Sequence, residues 1–156
     1  MSDQDVKSIA LFFFYAWLDD QKATRASSEA IEFLRNKFKS KEKLEGPIAV
    51  VIATKYIWDK HKHLWSRGKP NYSVDSGWMI PDLLNFSPWK EFQKSSSEEE
   101  LICLIWSKIL KFEDEQIANG LGISIGTVRY RVGRGLRKLG ALVQPSGKKV
   151  RIEEHE

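Results

Sequence analysis

Arg129, Arg131, Arg134, Arg137 and Lys138 crowd into one short stretch of the chain with no acidic residue among them. On a helix, Ile125, Val128, Val132, Leu136 and Leu139 line one apolar stripe. The opposite side carries Thr127, Tyr130, Arg134 and Arg137, with Arg131 on its flank and Arg129 nearer the stripe. Guanidinium forks pair with guanine edges or phosphates. Ser124 is placed to cap this helix, so the helix N-terminus aims further donors at a phosphate. The pattern suits docking against duplex DNA, with Ser124, Thr127, Arg129, Tyr130, Arg131, Arg134, Arg137 and Lys138 as the contact set. A solvated basic helix on an ordinary bundle would share this composition. The preceding residues favour the sharper reading: a short helix through Ile117, Ala118 and Leu121, then Gly122 to reverse the chain, make a helix-turn-helix.

A second cluster lies between Pro47 and Lys69. At 100° per residue, Val51, Lys55, Trp58, Lys62 and Trp65 fall on one side of a helix. Ile52, Ala53, Tyr56 and Leu64 fall on another. Indoles interleaved with ammonium groups make a platform for single-stranded DNA, where bases stack and phosphates meet cations. Arg67 and Lys69 extend it, and Tyr56 is expected to be structural. The same residues also fit a packed core with lysines snorkelling around its tryptophans, and both readings stand at this point.

No constellation supports catalysis. Asp59, His61 and His63 recur at a spacing that scatters them over different helix faces, so no metal site is expected. Cys103 sits among apolar residues as a small hydrophobe. Neither a nucleophile elbow nor a phosphate loop is present, so the chain reads as a non-enzyme without cofactors.

The 156 residues carry a net charge of +4, with 42% hydrophobic and 12% aromatic side chains, enough for one domain or two small ones. A single cysteine excludes a disulfide framework and fits a reducing compartment. The apolar run Ile9 to Leu18 is too short to span a bilayer. Asp3 and Asp5 precede it, unlike the cationic start of a secretory signal. The expectation is a cytoplasmic protein with no membrane contact.

Helical spacing of Val6, Ile9, Phe13 and Trp17 predicts a first helix. Ser27 or Ser28 is the expected cap of a second, through Ile31, Phe33, Leu34 and Phe38. Pro47 opens a third, ending near Trp65. Residues 70–96 read as a linker interrupted by prolines, whose Trp78, Leu83, Phe86, Trp89 and Phe92 are too apolar for water and so dock on something. Ser97 and Glu100 form a capping box for the next helix. The fold class is all-α: a helical domain over 1–69, the linker, a helix-turn-helix domain over 97–143 and a polar tail over 144–156.

At these residues the chain resembles bacterial sigma factors, especially the small extracytoplasmic-function type. Phe112 to Leu139, with Ile-Ala, Leu-Gly-Ile-Ser-Ile-Gly-Thr-Val-Arg and Leu-Arg-Lys-Leu in order, is similar to region 4 of that family. Gly133, Gly135 and Glu113 depart from it, since helix formers and a Ser or Thr cap are usual there. Ile52 to Asp59 resembles the promoter-melting helix of region 2. Ser28 to Glu32 is the nearest counterpart of the acidic motif that grips the polymerase. The resemblance implies a transcription initiation factor that binds the clamp and flap of core RNA polymerase. It also implies reading of the minus-35 box as duplex, capture of the opened minus-10 strand, and control by an anti-sigma or other regulatory protein. A stand-alone helix-turn-helix regulator, which would dimerise on DNA, and a sigma-like interaction protein without promoter opening are the alternatives.

Overall fold

The computed structural model describes residues 1–37, 43–65 and 87–143. Helix α1 (Asp3–Trp17) starts where Ser2 and Asp5 cap each other: the Asp5 N–H donates to Ser2 Oγ and the Ser2 N–H to the Asp5 carboxylate, each at 3.1 Å. It stops at Leu18, whose left-handed backbone (φ 52°) turns the chain. Asp19 then accepts the Lys22 N–H at 2.9 Å and opens α2 (Asp20–Lys37). The expected start at Ser27 or Ser28 is therefore wrong, and both serines lie inside α2. Its buried face is Ala23, Ala26 and Ala30, followed by Leu34. Small side chains let α2 lie close against α1, but they give a weaker hydrophobic signal than the residues that follow.

Helix α3 (Gly46–His61) has Pro47 in its first turn, as expected. Helices α4 (Ser87–Ser95) and α5 (Glu98–Leu104) follow, and α5 runs into a π-helical turn over Ile105–Ile109. Helices α6 (Asp114–Leu121) and α7 (Ile125–Val143) complete an architecture that is all-α, with no strand among the described residues. The Ser97–Glu100 capping box forms as the sequence predicts: the Ser97 N–H donates to Glu100 Oε1 at 2.9 Å and the Glu100 N–H to Ser97 Oγ at 3.2 Å.

Much of the expected linker falls outside the described residues. Its last part, however, is α4, with Trp89 and Phe92 buried. The Trp89 indole N–H donates to the Tyr15 carbonyl at 3.0 Å, and the Gln93 side-chain amide donates to the Ala16 carbonyl. Helix α4 thus docks on the C-terminal end of α1. From there the core is continuous through Phe12, Trp17 and Trp58 to Leu101, Trp106, Ile117 and Val128. Each large side chain withdrawn from water contributes about 1.5–3 kcal/mol, so burial on this scale holds the helices of both halves together.

Candidate nucleic-acid interface

The short helix, tight turn and longer helix are positioned by their own sequence. Ile117 and Ala118 of α6 are buried, and Gly122 takes the left-handed conformation (φ 69°) that a side chain would strain. The Ile123 N–H donates back to the Ala118 carbonyl at 3.1 Å and closes the turn. Ser124 Oγ accepts the Thr127 N–H at 3.1 Å and shares a hydrogen bond with Thr127 Oγ1 at 2.8 Å. The expected cap is therefore present. At the start of α6, where the expected Ser or Thr is replaced by Glu113, the Gln116 side chain accepts the Glu113 N–H at 3.0 Å.

On α7, Val128 and Val132 are buried, and Ile125 and Leu139 are half-buried. Leu136 departs from the stripe and is exposed; Gly135 is buried instead, where α7 approaches Phe92 and the Glu100 backbone. The outward side presents Tyr130, 60% exposed, with Arg134, Arg137 and Lys138. The Arg134 guanidinium lies 5.7 Å from the Tyr130 ring centre and donates to its hydroxyl at 3.1 Å, so the two side chains form one plate. Arg131 is half-buried, and Arg129 donates to Asp114 at 3.1 Å. Burial pushes the Cys103 thiol up to about 11, which makes it an inert packing group.

The arginine stretch is acid-free in sequence but not in space. The buried Glu100 carboxylate accepts Arg134 Nε at 2.9 Å and Lys138 Nζ at 2.7 Å. Burial by itself would raise this carboxyl. Hydrogen bonds from Lys138, the Ser97 backbone and Arg134 outweigh it and hold the group at about 2. Sequence reasoning assigned Glu100 only to the cap. Five consecutive residues of α5, Glu100 to Leu104, are buried, so helical phase does not single Glu100 out.

The α3 cluster is arranged differently from the expectation. Trp58 is 1% exposed and stacks on Trp17 with ring centres 4.8 Å apart, so it is a core side chain and offers no surface to a base. Tyr56, expected to be structural, is instead 55% exposed and lies flat on Phe33 at 4.4 Å, with Lys37 Nζ 5.4 Å from the Phe33 ring. The helical phase separated these residues correctly, but the inward side is the other one. Trp65 is partly buried between His61, stacked at 4.0 Å, and the edge of Trp17 at 4.7 Å. Lys55 pairs with Asp59, and Lys62 with Asp59 at 3.3 Å and Glu98 at 2.7 Å. Arg67 and Lys69 lie outside the described residues. His61 is buried against Glu29, with Nε2 2.7 Å from the carboxylate. Burial opposes ionisation of Glu29, but His61 and Lys60 together hold it below the usual range. Among the described residues no group of His, Cys, Asp and Glu is placed to hold a metal ion, and no helix is long and apolar enough to cross a membrane.

No family model and no curated protein matches the sequence. Among solved structures the chain is similar to the sigma factor RpoE in complex with the anti-sigma factor NepR from Bartonella quintana. The identity is 17% and the TM-score 0.68, over 91% of this chain and 93% of that one. An all-helical chain that superposes over nearly its whole length on such a protein has a sigma-factor-like fold.

Proposed function

We propose that the chain is a sigma-like transcription initiation factor that brings core RNA polymerase to promoters and is held in check by a regulatory protein. The observation that carries this reading is the outward face of α7. Tyr130, Arg134, Arg137 and Lys138 stand exposed on a helix whose other side is anchored by Val128 and Val132, in a chain with a sigma-like fold. In this reading α6, the Gly122 turn and α7 form a helix-turn-helix that reads the minus-35 box. Ser124 and Thr127 meet a phosphate at the N-terminus of α7, and Tyr130, Arg131, Arg134 and Arg137 meet the groove. Glu100 orients Arg134 and Lys138, and Asp114 orients Arg129. A duplex phosphate would compete with these carboxylates for the same cations.

Residues 1–69 are the unit for the polymerase clamp and the opened minus-10 strand, and 97–143 the unit for duplex and flap. Lys55, Lys62, Trp65, Arg67 and Lys69 remain the proposed strand contacts, with Trp58 supporting them from the core. The neighbouring structure holds a sigma factor with an anti-sigma factor, which supports a protein regulator as a partner here too.

The test is retention of promoter DNA by the complex of this chain with bacterial core polymerase. Arg134→Ala and Arg137→Ala should each lower duplex affinity, by roughly 1–3 kcal/mol for an arginine that reads a base. The loss should shrink as salt rises if the contact is to phosphate only. Unchanged affinity and sequence preference in both variants would remove α7 as the reading helix.

A further inference from the structure

The α7 face carries two kinds of cation. Arg137 is exposed and has no carboxylate partner among the described residues. Arg134 and Lys138 are held from beneath by one buried group. Glu100 is 3% exposed, and both of its oxygens are engaged. Oε2 accepts Arg134 Nε at 2.9 Å. Oε1 accepts Lys138 Nζ at 2.7 Å and the Ser97 N–H at 2.9 Å. The carboxylate is therefore tied to α7 on one side and to the start of α5 on the other. Arg134 is fixed at a second point, where an η nitrogen donates to the Tyr130 hydroxyl at 3.1 Å.

A guanidinium has five N–H groups. Glu100 and Tyr130 engage two of them here, and the others suffice for the paired O6 and N7 acceptors of a guanine. To follow a phosphate instead, Arg134 or Lys138 would have to leave Glu100. A buried carboxylate stripped of its partners costs more than a broken surface pair.

We infer that Glu100 determines the sequence selectivity of the α7 face, by withholding Arg134 and Lys138 from phosphates and presenting Arg134 pre-aimed to a guanine. On the reading of α7 as the duplex-binding helix, on which this rests, Glu100 is a positioning residue that does not itself touch DNA. Sequence-independent affinity grows with the number of phosphates neutralised. Glu100 lowers that affinity for every duplex, and the guanine contact restores it only for the right one. Arg134, held at two points, also has less side-chain freedom to lose on binding. Arg137 supplies the unselective part.

Glu100→Gln tests this, because the amide oxygen can still accept the Ser97 N–H while the negative charge is gone. The complex of the chain with core polymerase selects from a pool of randomised duplexes. The unaltered chain should enrich a site containing a guanine whose preference Arg134→Ala abolishes. Glu100→Gln should weaken that one preference roughly tenfold and leave the other positions as they were. Its affinity for unselected duplex should rise, with a log–log salt dependence steeper by about one to two. In the Arg134→Ala background, Glu100→Gln should change no base preference, a result that loosening of the fold would not give. An equal guanine preference in Glu100→Gln and the unaltered chain overturns the proposal. So does loss of affinity for all duplexes alike, or a selected site that Arg134→Ala leaves unchanged. If Glu100→Gln does not fold, Glu100→Asp decides. Its carboxylate keeps the charge but falls one methylene short of Arg134, so the same preference should weaken, and an unchanged one overturns the proposal. Failure of the duplex reading is distinct: the unaltered complex then selects no site that depends on Arg134 or Arg137.

Discussion

The indole N–H of Trp106 donates to the hydroxyl of Thr54 across 3.0 Å, with both side chains buried, and this single bond joins α3 to the π-helical turn after α5. The same hydroxyl donates to the Val50 carbonyl at 2.6 Å within α3. Thr54 is thus donor within its own helix and acceptor for the other half. Threonine is what such a position requires, because a hydroxyl serves in both directions.

Replacing Thr54 by valine keeps the shape but leaves the Trp106 N–H buried without that acceptor. A loss of about 1–3 kcal/mol in urea unfolding is expected. Trp106→Phe in the Thr54→Val background should cost less than the sum of the two single changes, since the orphaned donor is gone. Strict additivity would show that the bond contributes nothing.

Trp58 and Tyr56 should behave oppositely. Trp58→Ala removes a side chain stacked on Trp17 in the core and should destabilise by about 3–5 kcal/mol. Tyr56→Ala, on the surface against Phe33, should cost about 1 kcal/mol or less. Thermal melts of the two variants distinguish this from an arrangement in which Trp58 is a free stacking surface, where the larger loss would not appear.

Glu100 sets an acid limit on the C-terminal half. Its carboxyl is held at about 2, below the ordinary carboxylate value of 4.5. The stabilisation is therefore fully present above the unfolded value and is lost as pH falls through the range between the two. The magnitude is on the order of 3 kcal/mol at most, because Arg134 and Lys138 are themselves partly solvated. Glu100→Gln should lower stability at neutral pH and flatten the decline between pH 4.5 and about 2. A variant with an unaltered acid profile would show that Glu100 is not the responsible group.

Gly133 offers the opposite sign. It lies within α7, half-buried, and the nearest atom to an added Cβ is the mobile end of Arg137 at 3.5 Å. Gly133→Ala should raise stability by about 0.5–1 kcal/mol through helix propensity alone. A lower melting temperature would mean that the α7 backbone needs the glycine.

Legibility in the sequence followed the strength of local signals. Ser97, Ser124, Gly122 and Pro47 act on their immediate neighbours, and each does in the structure what its type and position imply. The start of α2 was missed because alanines at 23 and 26 pack tightly while scarcely altering a hydrophobicity pattern. On α3, apolar residues surround the helix, so periodicity separated Tyr56 from Trp58 without revealing which of them faces inward. That choice is made by Trp17 and Phe33, on other helices. The charge of the α7 face was readable, but the carboxylates of Glu100 and Asp114 that hold three of its cations come from α5 and α6. No local pattern contains them.

The sigma-like account is tested most directly by adding the purified chain to bacterial core RNA polymerase and mapping the 5′ ends of RNA made from genomic template. The account predicts a stoichiometric complex and discrete start sites that share two upstream sequence elements, with the outer element blurred by Arg134→Ala. A chain that neither binds core polymerase nor changes where transcripts begin would contradict it.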